Sequence, residues 1–229
     1  MPMLKYFGHA AFKFYSPKVS VVFDPGILGD KACVPESEKT NIICVSHEHK
    51  DHLGNTAKLS SNQKAFVLGN EYVINIALKE GTPEWLVRKM KSGERFDRPN
   101  VKITALDLKH GPSVAPVEVP NLSFIVEIEG VRVAHLGDAM TKGFLEKYPI
   151  DVVLIGVDET EAFNSNQSLS AIADIKPQLA IPMHIRTDPE IEYFFTHAET
   201  VAPSTKFRKM KPGDEISVKW SAGTEFRID

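Results

Sequence analysis

Ile42-Ile43-Cys44-Val45-Ser46-His47-Glu48-His49-Lys50-Asp51-His52-Leu53-Gly54 runs an unbroken apolar, strand-forming stretch straight into three histidines and an aspartate within six positions. Three of the chain's eight histidines fall here. Neutral imidazole and carboxylate are the ligands that zinc-like divalent ions accept, and catalytic sites keep one position for water. His47 and His49, two apart where a strand runs out, can point to the same side and share one ion. Asp51 and His52 fall where the chain turns, within reach of a second ion. The stretch therefore predicts a strand that delivers a metal-ligand cluster on a tight loop.

Working outward, the same strand-to-polar-residue transition recurs. Residues 3–7, 10–15 and 19–24 read as three short strands, and Val21-Val22-Phe23-Asp24-Pro25-Gly26 puts the Asp24 carboxylate at a strand's C-terminal rim. Residues 27–40 form a polar loop that could flank the site. Beyond the histidine cluster, helices are expected over 52–60, 71–79 and 85–90, with a strand at 64–68. An alternating strand from Val101 delivers His110-Gly111-Pro112, followed by a rigid loop over 111–120 with Pro112, Pro116 and Pro120. A hairpin over 122–128 and 131–136 ends in His135-Leu136-Gly137-Asp138, where a carboxylate just past a glycine can approach two ions and bridge them. Buried strands at 151–156 and 178–183, a helix over 168–175 and a second one capped at Asp188-Pro189-Glu190 follow. The second of those strands delivers His184-Ile185-Arg186. Terminal strands are expected at 206–208, 214–219 and 224–228.

Composition narrows the class. A chain of 229 residues buries a sizeable core, and with no repeat or interdomain linker it reads as one domain over 1–229. With 27 basic against 30 acidic side chains, net charge −3 and pI near 6.3, nothing favours a nucleic-acid partner. Neither a transmembrane run nor a signal-peptide core is present, so a cytoplasmic protein without a membrane partner is expected. Two cysteines make no disulfide framework; Cys44 reads as core and Cys33 as a free thiol.

The pattern His47-x-His49-x-Asp51-His52 resembles the signature of the metallo-β-lactamase superfamily. Gly8-His9-Ala10, His135-x-Gly137-Asp138 and Pro182-Met183-His184 extend the likeness over nearly the whole chain, most closely to that family's small, uncharacterised metal-dependent hydrolase branch near the ascorbate-phosphate lactonase type. The resemblance implies an α/β fold, a four-layer αββα sandwich with the site along one edge. It implies two divalent ions, zinc first, with manganese, iron or nickel also compatible with the ligands. By position, His47, His49 and His110 would hold one ion, and Asp51, His52 and His184 the other, with Asp138 between. Asp24 would hydrogen-bond the ligand loop, His135 would be structural or stand behind the ligands, and His9 would lie near the substrate. The nucleophile would be a metal-bound hydroxide, with Asp51 orienting water or accepting a proton if one site alone is filled.

The implied activity is hydrolysis of a small-molecule ester, lactone or amide. Arg186, beside the last ligand, is a candidate to hold an anionic group of the substrate. A phosphodiesterase or nuclease on the same fold, and a non-hydrolytic redox or metal-binding module, are the alternatives; a homo-oligomer is compatible with the sequence. Two departures from the small-hydrolase pattern bear on the substrate pocket: the short proline-rich stretch after His110, and Gly156-Val157-Asp158-Glu159 where a glycine pair is usual.

Overall fold

The first sheet is begun by β1 (Met3–Gly8), β2 (Ala11–Ser16) and β3 (Val19–Phe23), an antiparallel meander. A two-residue hairpin of β4 (Ile27–Leu28) and β5 (Lys31–Ala32) stands apart. β6 (Ile42–Cys44), β7 (Phe66–Gly69) and β8 (Val87–Lys89) then extend the first sheet in parallel from β3. The second sheet takes β9 (Arg95–Arg98), β10 (Val101–Asp107), β11 (Leu122–Ile128), β12 (Val131–His135), β13 (Val152–Gly156), β14 (Leu179–Met183) and β15 (Lys206–Phe207) in sequential order. β16 (Glu215–Ser221) and β17 (Glu225–Ile228) return to the first sheet beside β1. This computed structural model describes residues 1–110, 120–221 and 225–229; the proline-rich loop expected after His110 thus lies, except for Pro120, outside the described residues.

The two sheets meet face to face. One apolar core joins Leu4, Phe12, Phe14 and Phe23 of the first to Ile103, Phe124, Val126, Leu154 and Ile181 of the second. Strand alternation decides which side chains enter it: in β1 every second residue is buried. Outside the first sheet, α1 (Lys50–Leu53), α2 (Thr56–Gln63) and α3 (Glu71–Lys79) cover a second cluster with Val22, Ile43 and Val67. Outside the second, α4 (Ser165–Ile175) and α5 (Asp188–Val201) cover a third with Val153, Ile155 and Ala180. The layers are therefore helix, sheet, sheet, helix, the αββα sandwich. No helix among the described residues is long and apolar enough to cross a membrane.

Several elements differ from the sequence expectation. The helix expected over 52–60 is two, α1 and α2, broken at Gly54. There φ is +49°, and an added Cβ would come within 2.4 Å of the Gly26 backbone. The helix expected over 85–90 is one 3₁₀ turn, Glu84–Leu86, leading into β8. Buried Leu86 and Met90 pin both ends of Val87–Lys89, which the free edge of β7 recruits as a strand. β9 has no apolar run; its single buried residue is Phe96 between charged neighbours, as suits an edge strand. α4 begins three residues before the expected start, where Asn164 and Gln167 form a reciprocal capping box.

Candidate metal centre

The strands that run parallel across the two sheets end on one edge, and each end contributes a polar residue. Asp24 follows β3, His47 and His49 follow β6, His110 follows β10, Asp138 follows β12, Asp158 follows β13 and His184 follows β14. Backbone bonds fasten these ends together: Asp24 N to Cys44 O at 3.0 Å, Leu122 N to Ser46 O at 2.9 Å and His184 N to His9 O at 3.1 Å. His9, Asp24 and His184 all take positive φ, at +54°, +41° and +55°. Such backbone is costly for non-glycine residues and persists where surrounding bonds over-determine it.

Two adjoining ligand groups result. In one, ligand atoms of His47, His49 and His110 lie within 4.8 Å of one another; in the other, those of Asp51, His52, His184 and His9 do. Asp138 stands between them, its Oδ2 3.7 Å from His47 Nε2, 3.2 Å from His52 Nε2 and 3.3 Å from His184 Nε2. All seven residues expected to ligate are thus brought to one place.

Behind them a layer of hydrogen bonds sets ring orientation. Asp24 Oδ1 accepts from Ser46 N at 2.7 Å, while Oδ2 accepts from Ser46 Oγ and from His52 Nδ1, both at 2.7 Å. The Ser46 hydroxyl proton is committed to Asp24, so the contact with His47 Nδ1 at 2.9 Å has the ring donating. His184 Nδ1 donates to Asp158 Oδ2 at 2.9 Å. In all three imidazoles Nδ1 is held from behind and Nε2 faces the centre. Asn121 accepts from Asp138 N at 3.1 Å and donates to Leu108 O and Leu136 O, tying the ends of β10 and β12.

Charge is unevenly divided. Burial lowers His52, but Asp138 and Asp24 outweigh it and raise it to about 10. For His184 burial is likewise overcome, by Asp138, Asp158 and Asp51, and the result is about 12. Burial dominates at His47 and His110, which are lowered. Burial pushes the Asp24 carboxyl up, yet His135 and His52 bring it down to about 2. At Asp51 burial is overcome by the bonds from His184 and His9, and the group is held well below the carboxylate range.

The donor set passes a direct test of fit. His47 Nε2, both ring nitrogens of His110 and Asp138 Oδ1 are buried without a hydrogen-bond partner, and His52 Nε2, His184 Nε2 and Asp138 Oδ2 have close polar contact only within the ligand cluster itself. Buried polar atoms are almost always paired, and a cluster of unpaired nitrogens and carboxylate oxygens converging on one spot is what a divalent ion satisfies.

Of the remaining expected residues, His9 Nε2 bonds Asp51 Oδ2 at 3.0 Å. His135 lies fully buried behind the ligands: Nε2 donates to Ala10 O at 2.8 Å, Nδ1 accepts from Gly137 N at 3.2 Å, and the ring stacks on Phe23. Arg186 is engaged within the chain. Its Nε lies 2.6 Å from Asp158 Oδ2 and its Nη2 donates to Glu161, so this edge of the guanidinium pairs with carboxylates of the chain. Ser46, Asn121 and Glu161 escaped the sequence reading, and Asp158 entered it only within the Gly156–Glu159 departure, without a role at the ligands. For Asp158 the signal was available, an acid two residues beyond the buried strand β13.

Comparison with known proteins identifies the family and the fold. The metal-dependent hydrolase of family UPF0173 from Methanosarcina barkeri is 28% identical over 235 residues, covering 94% of this chain and 98% of its own length. Its counterpart in Desulforamulus reducens is 27% identical, covering 94% and 99%. Among solved structures, the metallo hydrolase Igni18 of Ignicoccus hospitalis superposes with a TM-score of 0.78 at 22% identity, over 96% of this chain and 99% of that one. The metallo-β-lactamase fold protein YhfI of Bacillus subtilis gives 0.73 at 15%, over 93% and 98%. Both structural matches speak to the fold. The sequence profile described as the Beta-lactamase superfamily domain matches residues 3–184, and with the sandwich and its edge-on His/Asp cluster in place, the chain belongs to the β-lactamase superfamily.

Proposed function

We propose that this metal-dependent hydrolase of the β-lactamase superfamily holds two divalent ions, zinc foremost, and cleaves a small-molecule ester, lactone or amide. The observation that carries the reading is the set of buried, unpartnered ring nitrogens and carboxylate oxygens facing one another. In this assignment His47, His49 and His110 would hold one ion and Asp51, His52 and His184 the other, with Asp138 standing between the two groups. When bound, such ions lower the pKa of a coordinated water towards neutrality and polarise the attacked carbonyl.

The rest is done by the chain. Asp24, Ser46 and Asp158 hold three Nδ1 atoms so that the Nε2 lone pairs are presented together, without loss of rotamer freedom at the moment of binding. Asp51, ionised and fixed by His9, would orient the attacking water if the three-histidine group alone were filled. His9 Nε2 donates to Asp51 Oδ2 at 3.0 Å and fixes the orientation of that carboxylate.

Elemental analysis of the purified chain, with a hydrolysis screen over esters, lactones and amides, tests the reading. About two ions per chain are expected. His49→Ala and Asp138→Ala should stay folded while losing metal and hydrolysis. Full metal content together with full hydrolysis in both variants would overturn it.

A further inference from the structure

One more carboxylate faces the centre. Glu161 brings an oxygen within 4.8 Å of the ligand atoms of Asp138 and His184. Both of those neighbours are buried, Asp138 Oδ1 lacks a hydrogen-bond partner, and Asp138 Oδ2 and His184 Nε2 face each other at 3.3 Å with polar contact only within the ligand cluster. The charge of Glu161 reaches His110 in the other ligand group as well.

Its position is built. Asp158 Oδ1 accepts from Thr160 N and Thr160 Oγ1, each at 2.7 Å, and from Glu161 N at 3.2 Å, closing a tight turn beyond β13. Arg186 then pairs with the Glu161 carboxylate while its Nε holds Asp158. The same Asp158 thus fixes His184, Arg186 and the backbone of Glu161. The Glu161 side chain is 37% exposed, so it lies on the open side of the centre.

We propose that Glu161 is an additional metal ligand, taking a position on the ion shared by Asp138 and His184. This rests on the metal-centre reading above and goes beyond its seven residues. With Glu161 the donor set has five imidazoles and three carboxylates. Oxygen-rich sets suit manganese better relative to zinc than imidazole-rich ones, so Glu161 is the residue of this chain that widens its metal preference towards manganese.

The test titrates the metal-free full chain with Mn²⁺ and with Zn²⁺ by calorimetry, and records the visible absorption of the Co²⁺ form. Glu161→Gln and Glu161→Ala should keep the wild-type circular dichroism, because the side chain is at the surface. Each should weaken Mn²⁺ binding on the order of tenfold or more, with a smaller loss for Zn²⁺. Co²⁺ absorption should strengthen as the coordination number falls. If both variants match wild type in Mn²⁺ affinity and Co²⁺ spectrum while Asp138→Ala loses metal, the Glu161 assignment fails and the metal centre stands. If wild type itself takes up neither ion, both fail.

Discussion

Gly137 shows how tightly single residues are specified. Its φ is +56°, and a Cβ there would lie 2.3 Å from Asn121 Oδ1 and 2.6 Å from Ser46 Cβ. Gly137→Ala should therefore destabilise the fold by about 1–3 kcal/mol and displace Asp138, seen as a lower urea midpoint and weaker metal binding. An unchanged midpoint would show that the turn has room to shift. A second residue-level prediction follows from charge. His52 and His184 are raised to about 10 and about 12, so both carry protons at neutral pH in the metal-free chain. Imidazole must be neutral to ligate, so these protons leave when an ion binds. The affinity of that group should rise with pH through the neutral range, whereas His47 and His110, lowered by burial, lose no proton there. Calorimetry in buffers of different ionisation enthalpy should find two uptake steps with unequal proton release; equal release would contradict the division. His47, His110, Asp138 and His184 were legible in sequence because each closely follows an apolar run, and His49 and His52 because they cluster within six positions of one another and of Asp51. Ser46, Asn121 and Glu161 were not, since a hydroxyl, an amide and a surface acid acquire roles only from what the fold sets beside them.

At the scale of elements, function sits where strands end. A strand fixes its last residue to within the tolerance of its ladder, and β3, β6, β12, β13 and β14 are linked by ladders within the two sheets. The helices contribute through their caps. Asn70 accepts from Val73 N at 3.0 Å at the start of α3 and donates to Pro120 O at 2.7 Å, next to the Asn121 that holds Asp138. Asn70→Ala should cost about 1–2 kcal/mol, measured by chemical denaturation, with metal stoichiometry retained. Loss of metal at unchanged stability would instead make Asn70 part of the centre. Strand-to-helix boundaries were readable where capping residues or buried runs mark them. The 85–90 segment was not, because a three-residue strand has no periodicity of its own and takes its form from the neighbouring edge of β7.

Across the whole molecule the metal centre joins the two sheets: Asp24, His47 and His52 come from the first, and His110, Asp138, Asp158 and His184 from the second. An ion bound there ties the edges of the sandwich. At a hundredfold excess over Kd it stabilises the native state by about 2.7 kcal/mol, so a chelator should lower Tm by roughly 5–10 °C. Asp138→Ala should show no such dependence, and a chelator-insensitive wild type would argue against a cross-sheet ion. The strands, the layered α/β class and the polar residues at strand ends were set by local sequence, because hydrophobic periodicity and ligand chemistry are local properties; which of those residues share one centre was implied by the family resemblance. Tertiary structure alone decided that Asp158 holds His184, that Arg186 serves that carboxylate, that Glu161 faces the centre, and that β15 joins one sheet while β16 and β17 close the other. Those outcomes depend on which chain ends pack side by side, and residues 26 apart, such as Asp158 and His184, carry no mark in the sequence that they will share a proton.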